Sequence, residues 1–384
     1  MEQIYCDNAS TSFPKAPGLG TAIGKHIDSN GFNISRGGYG IAYRLEREIL
    51  ETRLMICRMF GVRDPRNIVF VPGATAGLNM LLKGVLRCGD HVITTSMEHN
   101  SVTRPLAQLA THGVIWDEAE CDGRGELDKE NIKALIRPET RLVTVIHGSN
   151  VCGTQMPVNE IGRICADNEI FFAVDASQTA GSVKIDMEDI NADCIIFPGH
   201  KGLMGPQGIG CMLLSDRLAE SIEPLILGGT GSVSEADIMP AFLPDRMQAG
   251  TLNIPGIIGL KHALGFIENE GLEAVIEKKT YLSERFIEGI LNIDGIRVIG
   301  QHDIAGSGVV SIVFEDMDNA EAAFLLERDH GILTRCGLHC APHAHRTLGT
   351  FPGGTVRFSF GYFNTAEQVA NIVCALKHVT EISR

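Results

Sequence analysis

From residue 66 onward the chain alternates two hydrophobic periods, and this alternation restricts its fold more than any other feature. Short, largely apolar runs occur at 67–71, 91–95, 141–146, 170–174, 193–197 and 209–214. Apolar residues at successive positions mark strands covered on both faces. Between them lie stretches with helical spacing. Residues 75–87 carry Leu78, Leu81, Leu82 and Val85 on one face, 101–110, 128–136 and 158–167 also read as helices, and 113–116 reads as extended. Doubly buried strands separated by helices predict a mostly parallel sheet in an α/β layer. Ligands of such sheets lie outside the carboxyl ends of the strands. The residues directly after each run are therefore where chemistry is sought.

The pattern changes character after Gly250. Residues 272–291 form one helical period, 309–314 and 356–360 read as strands, and 320–327 as a helix. Thr365 and Gln368 have the spacing of a capping box before a last apolar-periodic helix. Near the start, 45–60 is an amphipathic helix that Gly61 can end. The expected division is a large α/β domain over 14–250 and a smaller α+β domain built from 1–13 and 251–384. A length of 384 residues suits such a division at about 150 residues per domain.

Composition excludes several classes of function. Lys and Arg number 33 against 47 Asp and Glu, a net charge of -14 that repels phosphate backbones, so no nucleic-acid partner is expected. The apolar stretches at 194–197 and 210–214 fall far short of the roughly 20 residues that span a bilayer. Residues 1–7 lack the basic-then-apolar pattern of a secretory signal. The eleven cysteines are scattered with no Cys-x-x-Cys pair. Neither a disulfide framework nor a zinc ribbon follows, and reduced thiols in a cytoplasmic protein without a membrane partner are expected.

The strand ends collect one unusual set of side chains. Gly73-Ala74-Thr75 follows one strand, His99 and Asn100 another, and Asn150 a third. Asp175 to Gln178 and His200-Lys201 follow the next two. Each has an ordinary reading: an isolated lysine is usually a solvated cation, an aspartate can cap a helix, and many helices start after a small-residue turn. Lys201, however, is framed by Gly199, Gly202 and Gly205 directly after an apolar strand. A lysine held there sheds its proton readily and can form a Schiff base. Paired with Asp175, it suits pyridoxal phosphate, whose aldehyde the lysine carries and whose ring nitrogen a carboxylate keeps protonated. The turn before the helix at 75 offers N–H groups to a phosphate. Dinucleotide and P-loop glycine patterns are absent.

Residues 335–345 concentrate further chemistry: Arg335, Cys336, His339, Cys340, His343 and His345. A metal site, a loop of satisfied polar residues and a reactive thiolate at Cys340 are the three readings. A structural zinc site wants two separated ligand pairs, whereas cationic neighbours such as Arg335 favour a thiolate.

In this order these residues resemble the cysteine desulfurases of the class-V aminotransferase-like, fold-type I pyridoxal phosphate enzymes. The likeness runs through Asp7-Asn8-Ala9-Ser10, Gly73 to Gly77, Met97 to Asn100, Ser149 to Thr154, Val174 to Gln178 and Gly199-His200-Lys201. It continues through Ala249-Gly250-Thr251, Arg335 to Cys340 and Arg357, the Arg-x-Gly-x-His-Cys form resembling the group II, selenocysteine-lyase-like branch. The resemblance implies Lys201 as the Schiff-base lysine, Asp175 on the ring nitrogen, Gln178 on the phenolic oxygen and His99 stacked on the ring. It places the phosphate on Ala74, Thr75, His200 and, from a second subunit, Thr251. It gives the substrate carboxylate to Arg357 and Asn150, with Arg335 beside them. The implied reaction takes sulfur from L-cysteine, leaving alanine and a Cys340 persulfide for an acceptor protein, in a homodimer. Selenocysteine lysis, another pyridoxal phosphate β-lyase reaction and a low-activity sulfur-carrying scaffold are the alternatives. The chain departs from the family at Pro198, where a phosphate-binding serine is common, at Leu338 in place of histidine, and in its additional Cys336.

Overall fold

The computed structural model describes residues 3–34, 39–233, 235–301 and 306–382. Its strands are β1 (Ile4–Tyr5), β2 (Ile68–Val71), β3 (His91–Thr95), β4 (Ile115–Ala119), β5 (Thr140–Ile146), β6 (Phe171–Asp175) and β7 (Cys194–Pro198). They continue with β8 (Gly210–Leu214), β9 (Ile296–Ile299), β10 (Val309–Phe314), β11 (Ile332–Leu333), β12 (Arg335–Gly337) and β13 (Thr355–Ser359).

Seven strands form the large sheet in the order β2-β8-β7-β6-β5-β3-β4, with only β8 antiparallel to its neighbours. The mostly parallel sheet expected from the doubly apolar runs is present. Every residue of β2, β3, β6, β7 and β8 is buried, as helices on both faces require. The strand expected at 113–116 lies slightly later, as β4, because Gly113 takes a left-handed φ of 87° and ends the preceding turn. The helix Gly40–Phe60 ends at Gly61 in the left-handed conformation, as anticipated.

The helix Ile254–Glu270 packs along Leu19–Asn30 and Gly40–Phe60 and adds Ile257, Leu260, Ala263, Leu264 and Ile267 to the core beneath the large sheet. Its start carried a readable signal: Asn253 accepts the Gly256 N–H at 3.0 Å and Pro255 sits in the first turn.

The second sheet is antiparallel, in the order β12-β13-β10-β9. Along β13, Val356 and Phe358 enter an apolar cluster with Phe286, Phe360 and Leu376, while Thr355, Arg357 and Ser359 face the other way. That two-residue period turns a polar stripe toward the large sheet. The N-terminal segment joins this unit, β1 pairing parallel with β11 and Asp7 bridging to Ser359. The last helix, Ala366–Ile382, opens on the capping box: Thr365 N–H donates to Gln368 Oε1 at 3.3 Å and Gln368 N–H to Thr365 Oγ1 at 3.2 Å.

Candidate active site

The carboxyl ends of the parallel strands surround a cleft of about 530 Å³ lined by Ala74, Thr75, His99, Asn150, Asp175, Gln178, His200 and Lys201. Residues separated by more than a hundred positions in sequence thus meet at one rim, where the strand-end rule placed them.

Lys201 sits in the turn after β7. That turn lies so close to residues 180–182 that a Cβ on Gly202 would stand 2.4 Å from the Ala180 carbonyl, so only glycine fits. Burial pushes the Lys201 amine down to about 8, Asp175 opposes the shift, and Arg357 and Arg335 add to it. Asp175 closes β6 with its side chain buried, Oδ1 accepting the Ser177 N–H at 2.9 Å.

His99 is the N-cap of the helix Asn100–Ala110. Its Nδ1 accepts the Ser101 N–H at 3.0 Å and faces the Ser101 hydroxyl at 2.8 Å, which leaves the ring proton on Nε2. Burial lowers its pKa, and the cap fixes its orientation.

The helix Ala74–Val85 starts with no side-chain cap, so its first N–H groups face the cleft unpaired by protein. Together with the helix dipole they favour an anion. His200 lines the same region, and its buried Nδ1 has no protein partner. Burial, helped by Lys201 and Lys15, pushes the ring down to about 4 and keeps it neutral. Pro198 on the neighbouring wall offers neither an N–H nor a hydroxyl.

Above the cleft lies a pair of arginines. Arg357 is 1% exposed; its Nη1 donates to the Asn150 carbonyl at 2.8 Å, and its Nη2 to Asp7 Oδ1 at 2.8 Å and Ser10 Oγ at 2.9 Å. Arg335 Nη1 donates to the same Ser10 hydroxyl at 2.8 Å. Asp7 and Ser10 thus organise both guanidinium groups, a role the sequence reading did not assign them. The Arg357 Nε–H is buried without a protein partner.

Cys340 is exposed, on a turn that follows β12. The Ala341 N–H donates to the Leu338 carbonyl at 2.8 Å, and His339 and Cys340 both have positive φ, 47° and 60°, the signature of a type I′ turn. Arg335 Nη2 approaches Cys340 Sγ at 3.7 Å. Two donors seat the turn on the large sheet: Asn150 Nδ2 on the His339 carbonyl at 2.7 Å, and the Asn100 N–H on the Cys340 carbonyl at 2.8 Å.

The other metal-type ligands of 335–345 diverge. Cys336 packs against the small apolar cluster, His339 meets Thr355, His345 meets Thr350, and His343 pairs with Glu118. Among the described residues no three His, Cys, Asp or Glu side chains converge as a metal would require.

Two further site residues have protein surroundings of their own. Gln178 Nε2 donates to the Ala9 carbonyl at 3.0 Å, tying the N-terminal segment to the cleft. Thr251 lies outside the cleft, beside Asn33, Arg53 and Gln248 in a separate hollow of about 400 Å³. Glu98, part of the Met97 to Asn100 run, was given no role of its own. It is fully buried beside His99, accepts from Ile146 N–H and Thr95 Oγ1, and is pushed up to about 8 by burial. Only its position before His99 could have drawn notice.

Among the described residues no helix is long and apolar enough to cross a membrane. The chain is 34% identical to a probable cysteine desulfurase of Methanothermobacter thermautotrophicus, over 96% of this chain and 92% of the relative. It is 30% identical to a probable cysteine desulfurase of Pyrococcus abyssi, over 100% and 96% of the two chains. The structure superposes on an apo cysteine desulfurase of Thermococcus onnurineus NA1 with a TM-score of 0.92 at 31% identity, covering 99% of this chain and 95% of the other. With the Escherichia coli cysteine desulfurase CsdA in an S-sulfonic acid form the TM-score is 0.89 at 25% identity, with the same coverage of 99% and 95%. The class-V aminotransferase family matches residues 4–372, and with the relatives, the fold and the cleft in agreement, the chain belongs to that family.

Proposed function

We propose that this protein is a pyridoxal phosphate-dependent cysteine desulfurase that takes sulfur from L-cysteine, releases alanine and holds the sulfur as a persulfide on Cys340. The observation that carries this reading is the exposed Cys340 thiol 3.7 Å from Arg335, on a turn docked beside the His99 end of the Lys201 cleft. A transaminase has no use for that thiol.

The residues present fit the cofactor. Uncapped N–H groups at Ala74 and Thr75 and the unpartnered His200 Nδ1 suit a phosphate. Asp175 suits a protonated ring nitrogen, His99 a ring face, and Lys201 the aldehyde. Gln178 is available to the phenolic oxygen if it releases Ala9. When bound, pyridoxal phosphate supplies an electron-accepting ring that weakens bonds at the amino acid's Cα and Cβ.

The remaining work belongs to the chain. Arg357, buried and with its Nε–H unpaired, and Asn150 hold the substrate carboxylate. With its amine pushed down to about 8, Lys201 Nζ takes and returns a proton near neutral pH. Cys340 Sγ, as thiolate, attacks the substrate sulfur; an S–S bond forms and the Cβ–S bond breaks. The substrate's thiol hydrogen reappears, by proton exchange, as the third methyl hydrogen of alanine, so no external oxidant or reductant is needed. Arg335 faces the negative sulfur of the resulting persulfide.

Thr251 lies away from its own chain's cleft, which supports a homodimer in which it reaches the partner's phosphate. The two-unit division at 14–250 and 1–13 with 251–384 belongs to the same reading, with Cys340 on the smaller unit, except that the helix Ile254–Glu270 packs into the core of the larger unit. All eleven cysteines are free, which supports a reducing, cytoplasmic setting, and the exposed Cys340 suits transfer of the sulfur to an acceptor protein.

Mass spectrometry after addition of L-cysteine tests the proposal. One additional sulfur is expected on the peptide that contains Cys340, and Cys340→Ser should lose both this adduct and sulfide release while keeping its visible colour. Parent-rate sulfide release from Cys340→Ser overturns it.

A further inference from the structure

The turn that presents Cys340 stores strain. His339 and Cys340 both occupy the left-handed region, which is unfavourable for a non-glycine residue. Such a conformation persists only where its surroundings hold it, and here the holding groups close a ring of hydrogen bonds. Asn150 Nδ2 donates to the His339 carbonyl at 2.7 Å. The His339 ring meets Thr355 Oγ1 through Nε2 at 2.8 Å, Thr355 Oγ1 donates to Ser311 Oγ at 3.1 Å, and Ser311 Oγ donates to the Val151 carbonyl at 2.5 Å. Val151 follows Asn150 in the chain, so the ring returns to its start.

The ring has one direction. A carbonyl only accepts, so the single Ser311 hydroxyl proton points at Val151; Thr355 then gives its own proton to Ser311. His339 must therefore donate from Nε2, with its lone pair on Nδ1, which is buried and has no protein partner. Ser311, Thr355, His339 and Asn150 are all buried, so water does not substitute for a missing member. The strand register explains why these residues meet. Ser311 stands opposite Arg357 across β10 and β13, and Thr355 stands opposite Gly337, two residues before His339. Both hydroxyls lie on the polar stripe that faces the large sheet.

We propose that Ser311 and Thr355 are positioning residues for the Cys340 thiol, acting through the His339 ring to hold the turn against Asn150 and Asn100. Neither touches the cleft. The catalytic meaning of this role rests on the reading of Cys340 as the sulfur carrier; the structural part does not.

The Asn100 amide is the reporter, since the Cys340 carbonyl is its acceptor at 2.8 Å. Residue-resolved hydrogen exchange on the protein as purified should show Asn100 exchanging about fivefold faster in Thr355→Val, the effect of losing one buried hydrogen bond. Thr355→Ser, which keeps the hydroxyl, should return to the parent rate, and Ser311→Ala should shift in the same direction as Thr355→Val. Nitrogen chemical shifts should show His339 as the Nε2–H tautomer in the parent and a mixture in Thr355→Val. In the same variant, persulfide formation should slow with an unchanged KM for L-cysteine. Unchanged Asn100 exchange and an unchanged tautomer in folded Thr355→Val and Ser311→Ala overturn the proposal, as does faster exchange with persulfide formation at the parent rate. A parent protein that forms no persulfide at all overturns the proposed function instead, and leaves the exchange result standing.

Discussion

Arg335 and Cys340 face each other across 3.7 Å, the guanidinium Nη2 toward the sulfur, while Nη1 of the same group is held by Ser10 at 2.8 Å. The arginine is thus anchored from the N-terminal segment and presents its second nitrogen to the thiol. In the proposed reaction, a fixed cation there stabilises negative charge on the attacking Cys340 sulfur and on the persulfide that results. Arg335→Gln should lower the rate of persulfide formation on Cys340 about tenfold, the loss of one charged hydrogen-bond partner at a part-exposed site. The cofactor's visible band should not change. Ser10→Ala, which frees the arginine, should fall between the parent and Arg335→Gln.

Gly210 tests the wall of the proposed phosphate site. A Cβ on Gly210 would stand 2.6 Å from the Phe197 carbonyl and 3.2 Å from the Cα atoms of both Gly73 and Pro198. Backbone must move, and the backbone that moves carries the turn before Ala74. Gly210→Ala should destabilise the protein by roughly 1–3 kcal/mol, as overpacking does. It should also release pyridoxal phosphate faster on dialysis, followed by loss of absorbance.

The large sheet was legible because its strands are apolar on both faces, and the chemistry was legible because parallel sheets place ligands at strand ends. Lys201, Asp175 and His99, singled out by that rule, line one cleft. What escaped depends on contacts between distant segments. Nothing local marks Ser10 as the hydroxyl that binds both Arg335 and Arg357, or Asn150 as the donor to His339. The helix Leu19–Asn30 escaped for another reason: it begins after Gly18 without a side-chain cap, contains Gly20 and Gly24, and buries only Leu19 and His26. Propensity and capping both argue against it, and packing on Ile254–Glu270 overrides them.

Lys279 gives a pH dependence with a definite sign. Its amine is buried, reaches Ser182 Oγ at 2.5 Å and has been pushed by burial from 10.5 down to about 8. Between those two values the unfolded chain binds more protons than the folded one, so this lysine makes stability rise with pH across that window. Below it the folded state bears the buried ammonium. Lys279→Met should therefore be the more stable protein near pH 7, by at most about 3 kcal/mol, with the advantage shrinking as pH rises. Denaturant midpoints measured at several pH values check this, and an advantage that grows with pH contradicts it.

Thr251 tests the assembly. If it serves the partner's cleft, Thr251→Ala and Lys201→Ala chains are both impaired alone but complement when coexpressed, because the mixed dimer keeps one complete site. Activity of the purified mixed dimer is the readout. No gain over the two separate variants contradicts a role in the partner's site.

Three buried or half-buried amines near this cleft, Lys15, Lys201 and Lys279, are all pushed down to about 8, so lowered basicity alone does not select the one that carries the cofactor. Position relative to Asp175 and His99 does. Borohydride reduction of the protein loaded with pyridoxal phosphate, followed by peptide mapping, asks the question most directly. A pyridoxyl group on Lys201 alone is the predicted result; label on Lys15 or Lys279 with Lys201 unmodified would contradict the account.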